Sequence, residues 1–233
     1  MKIAVRIAQA GNQILNIIVM GIILFLFLYG GYSLWDTYMS AKSAFLSDDL
    51  LSYKPQPGEG ANPSLEDLMA INKDVAGWIT IDDTHIDYPV VQGKDDMEYI
   101  NKDVYGEFSL SGSIFLSCMN KKDFSDNYNL VYGHHMANGG MFGDVVSFTE
   151  KSYFDKHKTG ELYLPDKTMH IDLFACMKTS ASDSKVYNPQ NISKTSESFK
   201  VFLTMSGKLP SVIEIAEGRI LDRLLGYRPV RKQ

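Results

Sequence analysis

Cysteine is scarce in this chain: only Cys118 and Cys176 occur in 233 residues. Two cysteines are too few for a disulfide scaffold, and they read equally as a pair or as two free thiols. An excess of positive charge is missing as well. Lys and Arg number 23 against 28 Asp and Glu, a formal net charge of −5. A nucleic-acid surface is basic and clustered, so that class of partner is excluded. No internal repeat and no low-complexity tract is present, which argues against solenoids and repeat arrays.

One long apolar run does stand out. Ile14 to Trp35 is apolar except for Asn16, Ser33 and a few glycines. As a helix it rises about 33 Å, enough to cross a hydrocarbon core of about 30 Å. Tyr29, Tyr32 and Trp35 gather at one end, where aromatic belts sit. Lys2 and Arg6 precede the run and Asp36 follows it. The positive-inside rule then predicts a single-pass membrane protein with its N-terminus in the cytoplasm and residues 36–233 outside. A cleaved signal peptide is the rival reading. It wants a shorter apolar region and a small-x-small site, and at Ser43-Ala44 the position is spoiled by Lys42. The expected organisation is a cytoplasmic tail (1–13), an anchor (14–35), a stalk (36–62) and an extracellular domain (63–233).

The stalk has helical character over Tyr38–Leu51, broken at Lys54-Pro55-Gln56-Pro57-Gly58. Ser64 is the expected N-cap of a short helix with Leu65, Leu68 and Met69 on one face. From Gly77 the pattern turns to strand. Trp78–Ile81 precedes a polar turn, and then Ile86, Tyr88 and Val90 alternate with Asp87 and Pro89. Pro89 marks an edge or a strand end. Further strands are predicted at Ser113–Ser117, Asn129–Tyr132, Gly160–Leu164, Met169–Met177, Ser211–Ile215 and Arg219–Val230. A helix is predicted over Ser196–Ser206, with Phe199, Phe202 and Leu203 at i, i+3 and i+4, Gly207 as its cap and Pro210 beyond. Many short strands with few helices predict a mainly β fold, a mixed β-barrel behind an N-terminal transmembrane helix.

Several motifs occur in order. Ile71-Asn72-Lys73-Asp74-Val75-Ala76-Gly77-Trp78-Ile79 is followed by Ile86-Asp87-Tyr88-Pro89-Val90-Val91-Gln92-Gly93. Gly112-Ser113-Ile114-Phe115-Leu116, Tyr132-Gly133-His134-His135-Met136 and Met141-Phe142-Gly143-Asp144 continue the series. Together, over roughly residues 65–221, they resemble the barrel of a class B sortase. The resemblance implies a membrane-anchored cysteine transpeptidase of Gram-positive bacteria. It would cut a C-terminal sorting signal of the Asn-Pro-x-Thr type in a surface protein and pass the acyl group to a cell-wall or pilin amine.

In that scheme a thiol attacks the Thr carbonyl and forms a thioester. A histidine gives a proton to the leaving amine and later assists the incoming one. An arginine stabilises the oxyanion. No metal or organic cofactor is required. The resemblance assigns the histidine role to His134, with His135 a neighbour facing elsewhere. Read without the family, both are turn residues capping a hairpin. A metal site is a third reading, disfavoured because adjacent histidines rarely share a metal and His85, His157 and His170 lack ligand spacing.

The family pattern fails at the C-terminal end. A Thr-Leu-x-Thr-Cys strand should precede the arginine strand. Here Arg219-Ile220-Leu221 runs straight into Asp222-Arg223-Leu224-Leu225-Gly226. The simplest account is a local loss of about ten residues, at ~3.3 Å each a whole strand with its turn. Arg223 is then the best match to the arginine, its alternative being an ordinary solvated charge. No cysteine stands at the nucleophile position. If Ser113–Cys118 pairs antiparallel with Tyr128–Gly133, residue 118 falls opposite roughly 128, about 18 Å along the ladder from His134. Cys176 reads as a small half-buried residue sharing a face with Asp172 and Phe174. The missing strand also predicts an opened barrel with unpaired neighbouring backbone, and a chain without thioester chemistry. The alternative function is an inactive membrane protein that binds sorting signals or partners.

Overall fold

The computed structural model describes residues 2–43, 45–58, 60–179, 187, 199–206 and 211–217. They fall into two units, divided between Lys42 and Ser43. The first consists of the helix α1 (Lys2–Ser43) up to Lys42, which contains the apolar run and is long and apolar enough to cross a membrane.

The second unit is built on a barrel. Its strands are β1 (Val75–Ile81), β2 (Asp87–Val91), β3 (Ile114–Leu116), β4 (Tyr128–Gly133), β5 (Thr159–Tyr163), β6 (Thr168–Thr179), β7 (Phe199–Ser206) and β8 (Ser211–Glu217). They close in the order β1-β2-β3-β4-β8-β7-β6-β5. The β2/β3 and β6/β7 pairs are parallel and the others antiparallel. Pro89 pairs with Trp78 on one side, one residue before β3 begins beside Val90. Its missing N–H therefore removes no ladder bond on the open side.

Two expectations are corrected. The segment read as a helix over Ser196–Ser206 is strand from Phe199 to Ser206, flanked by β6 and β8. An i, i+3, i+4 apolar spacing in so short a run does not separate helix from strand, and sheet pairing decides. Its supposed cap Gly207 and Pro210 lie outside the described residues. The barrel is also not left open. β7 and β8 bridge β6 to β4, so the backbone that a lost strand would have orphaned is paired.

Alternation along the strands creates two apolar clusters. Ile79, Ile81, Val90, Leu116, Val131, Leu162 and Ile171 pack in one of them, together with Phe142, Val145 and Phe148. Trp78, Val91, Phe115 and Tyr163 point the other way, against Leu65 and Leu68 of α3 (Pro63–Ile71). The expected cap of α3 is displaced. Asn62 holds the N-cap position, Pro63 occupies the first turn, and Ser64 is helical. Pro fits the first turn because its missing N–H has no helical partner there. Asn62 faces the barrel instead of capping: its Nδ2 donates to the Leu164 carbonyl at 2.6 Å, and its backbone N–H to that of Pro165 at 3.0 Å.

The helix read over Tyr38–Leu51 is two pieces, the end of α1 and α2 (Asp48–Leu51), the latter capped by Ser47. Leu50 and Pro55 are buried. Lys54 Nζ pairs with Asp87 Oδ2, and Asp87 Oδ1 accepts the indole N–H of the fully buried Trp78 at 2.8 Å. Asp87→Ala strips the partner from a buried donor, and we expect it to cost about 1–3 kcal/mol. Equilibrium urea denaturation followed by tryptophan fluorescence measures this. An unmoved midpoint would mean that the carboxylate does not satisfy the indole.

Candidate active site

β4 delivers the chain to His134, and the local sequence explains how. A Cβ on Gly133 would lie 2.3 Å from Ile114 Cδ1 and 2.7 Å from the ring of Phe142. Only glycine lets that ring fold over the strand end. The chain after Gly133 turns back as a hairpin. The His134 carbonyl accepts from Phe142 N–H at 2.9 Å, and His135 bridges to Met141. Met141 sits at φ +53, a strained conformation for a residue with a side chain. Its N–H donates to Tyr88 Oη at 2.8 Å, which holds the strained residue in place. Burial pushes the Tyr88 phenol up to about 12, so it stays protonated at neutral pH.

His134 is half-buried, whereas His135 is exposed. The His134 Nδ1 is buried and has no hydrogen-bond partner among the described residues. Burial lowers its pKa below the usual imidazole value, which favours the neutral ring at pH 7. His157 stacks on Tyr153 at 3.9 Å and makes a hydrogen bond with its carbonyl, while His170 lies 3.6 Å from Asp172. Among the described residues no group of three or more His, Cys, Asp or Glu is placed to hold a metal.

Neither cysteine meets His134 along the sheet. The β3/β4 register pairs Phe115 with Tyr132 and Leu116 with Val131. Extended by two residues, it puts Cys118 opposite Asn129, about 16 Å along the ladder from His134. Cys118 is exposed, and its N–H donates to Asp96 Oδ1 at 2.7 Å. Burial first, then Asp96, raises its thiol pKa. Cys176 is half-buried against the interior cluster, its Sγ 3.9 Å from the Val145 carbonyl. Burial pushes that thiol up to about 11, the reverse of an activated nucleophile. Its expected face is corrected. The β6/β7 register shifts between Leu173 and Ala175. Leu173 points inward and Asp172 outward, and after the shift Cys176 packs inward, parted from Asp172.

Arg223 lies outside the described residues, as does the rest of 218–233. Two side chains at the hairpin were not read as site residues from the sequence: Tyr88, which binds Met141 N–H, and Asp144, which binds His85. Both act across more than 50 residues of chain, and local pattern carries no sign of such a pairing.

No protein-family model matches the chain. Sortase B of Listeria monocytogenes is 30% identical over 173 residues, covering 71% of this chain and 69% of that protein. Sortase B of Staphylococcus aureus is 31% identical over 161 residues, 67% of this chain and 66% of that one. Among solved structures, a Streptococcus pyogenes class B sortase involved in pilus biogenesis aligns with a TM-score of 0.56 and 39% identity. The alignment covers 64% of this chain and 95% of that one. The Staphylococcus aureus sortase B–substrate complex gives 0.56 and 26%, over 67% of this chain and 84% of the other. Sequence identity and barrel architecture thus agree with the motif series around His134, and the chain belongs to the sortase family as a class B-like member.

Proposed function

We propose that His134 is the proton-transfer residue of a transpeptidase acting on Asn-Pro-x-Thr sorting signals. Such an enzyme cleaves after the Thr of a surface protein and passes the acyl group to an amine of a cell-wall precursor or a pilin, and this chain carries no cysteine at the C-terminal position where the family pattern puts the nucleophile. The observation that carries this reading is the buried Nδ1 of His134, unpartnered among the described residues. A buried polar atom without a partner is costly and calls for a reason, and a waiting substrate is one. Given a cysteine on a strand before Arg223, a neutral imidazole takes the thiol proton as the sulfur attacks the Thr carbonyl. It returns that proton to the leaving amine as the C–N bond breaks, and then takes one from the acceptor amine. Arg223 supplies charge and N–H donors to the oxyanion. The Streptococcus pyogenes relative's involvement in pilus biogenesis supports a pilin as one acceptor. In this reading α1 anchors the chain, Lys2 and Arg6 keep its N-terminus in the cytoplasm, and residues 63–233 work outside.

A second reading is favoured by the cysteines. With Cys118 remote along the ladder and Cys176 turned into the core, this chain binds sorting signals or partners without cutting them. The test uses the full chain in detergent and an Asn-Pro-Gln-Thr-Asn peptide bearing a thiol-reactive group at the scissile bond. Intact mass spectrometry is expected to show no adduct, while binding persists and weakens about tenfold in His134→Ala, the loss of one good hydrogen bond. An adduct on Cys118 or Cys176 overturns the missing-nucleophile account. Inserting a Thr-Leu-x-Thr-Cys strand between Leu221 and Asp222 is expected to switch on cleavage. Binding that persists with no cleavage in that variant leaves the binder reading.

A pH dependence follows from His134. Its folded pKa is depressed, so the native state binds fewer protons than the unfolded one. Its contribution to stability is whole above the unfolded imidazole value of about 6.5, and it drains away as pH falls toward the folded value. Thermal denaturation between pH 7 and 5 should therefore lower Tm more in the wild type than in His134→Gln. Equal slopes would place His134 in solvent.

A further inference from the structure

We infer that Asp144 is a positioning residue for the His134 hairpin, acting through His85. Asp144 Oδ2 accepts the backbone N–H of His85 at 2.7 Å and lies 3.0 Å from its ring Nδ1. A carboxylate only accepts, so the ring carries a proton on Nδ1. The Asp144 side chain is only 14% exposed, so this bond is shielded from water at one end. The hairpin rests on the pair. Gly139, at φ +84, is so close that a Cβ there would lie 3.1 Å from Asp144 Oδ1 and 3.3 Å from His85 Nδ1. Together with the Met141–Tyr88 bond, this ties the loop after His134 to the start of β2 at two points. The His85 ring also meets Phe45 edge-on at 6.0 Å.

The charge of Asp144 helps to raise the Tyr88 and Tyr153 phenols, whereas among the described residues His134 is perturbed by burial and by no charge. Any influence of Asp144 on His134 therefore passes through the placement of the hairpin. This separates two effects by sign. Removing a nearby carboxylate lowers an imidazole pKa, whereas loosening the hairpin wets the ring and raises it.

The proposal rests on the reading of His134 as the proton-transfer group, but its test does not. The full chain in detergent micelles, labelled with 13C at histidine Cε1, is titrated by NMR, with His134→Gln assigning the resonance. Asp144→Ala is expected to raise the His134 pKa toward the ordinary imidazole value. Asp144→Asn, which still accepts the His85 N–H, is expected to leave it in place. His85→Ala, at an exposed ring, gives a smaller rise and serves if Asp144→Ala does not fold. No movement or a fall in Asp144→Ala, or in His85→Ala should that variant stand alone, overturns the proposal. An equal rise in Asp144→Asn does so too. A His134 that binds no sorting peptide while these shifts appear would sink the proton-transfer reading and leave the positioning role standing.

Discussion

A barrel strand shows its side chains alternately to two sides, and here both sides have to be apolar. Trp78 and Ile79, Phe115 and Leu116, Leu162 and Tyr163 are neighbours in sequence that enter different clusters. A slip of one residue in any of these strands would exchange the two sets. The short helix α3 exists to cover one set, and the residues after the His134 hairpin help to fill the space against the other. The hairpin is therefore not a loop hung on the barrel. Phe142 packs against the Gly133 backbone and belongs to the interior cluster, so the position of His134 is part of the core packing.

The family's chemistry needs a thiol beside that histidine, and along the described sheet neither Cys118 nor Cys176 stands there. Strand geometry sends Cys118 to the far end of its ladder, and the register shift in β6 sends Cys176 inward. What remains is a barrel with its hairpin in place and a buried imidazole nitrogen that no described residue partners. Substrate contact and bond cleavage are separable properties in such a molecule.

Much of this was legible in the sequence, for definite reasons. Two-residue alternation located β1 to β6 within a residue or two, and the ordered motifs placed His134 at the end of β4. The β3/β4 register came out one residue from the expected pairing. The misses also have causes. Phe199, Phe202 and Leu203 fit a helical stripe, yet in eight residues of strand the partner β-strands outweigh local spacing. Ser64 looked the better cap because hydroxyl chemistry is visible in sequence, whereas the pull of the Leu164 carbonyl on Asn62 is not. The Asp144–His85 and Tyr88–Met141 bonds join segments that only the folded barrel brings together.

The register shift in β6 has one further consequence. It leaves the molecule with two sulfurs of unequal accessibility, Cys176 half-buried against the interior and Cys118 exposed on a turn. A maleimide dye or spin label therefore reaches Cys118 ahead of the half-buried Cys176. Cys118 lies at the end of the β3/β4 ladder away from the hairpin, so a reporter there watches the domain without disturbing the loop that carries His134.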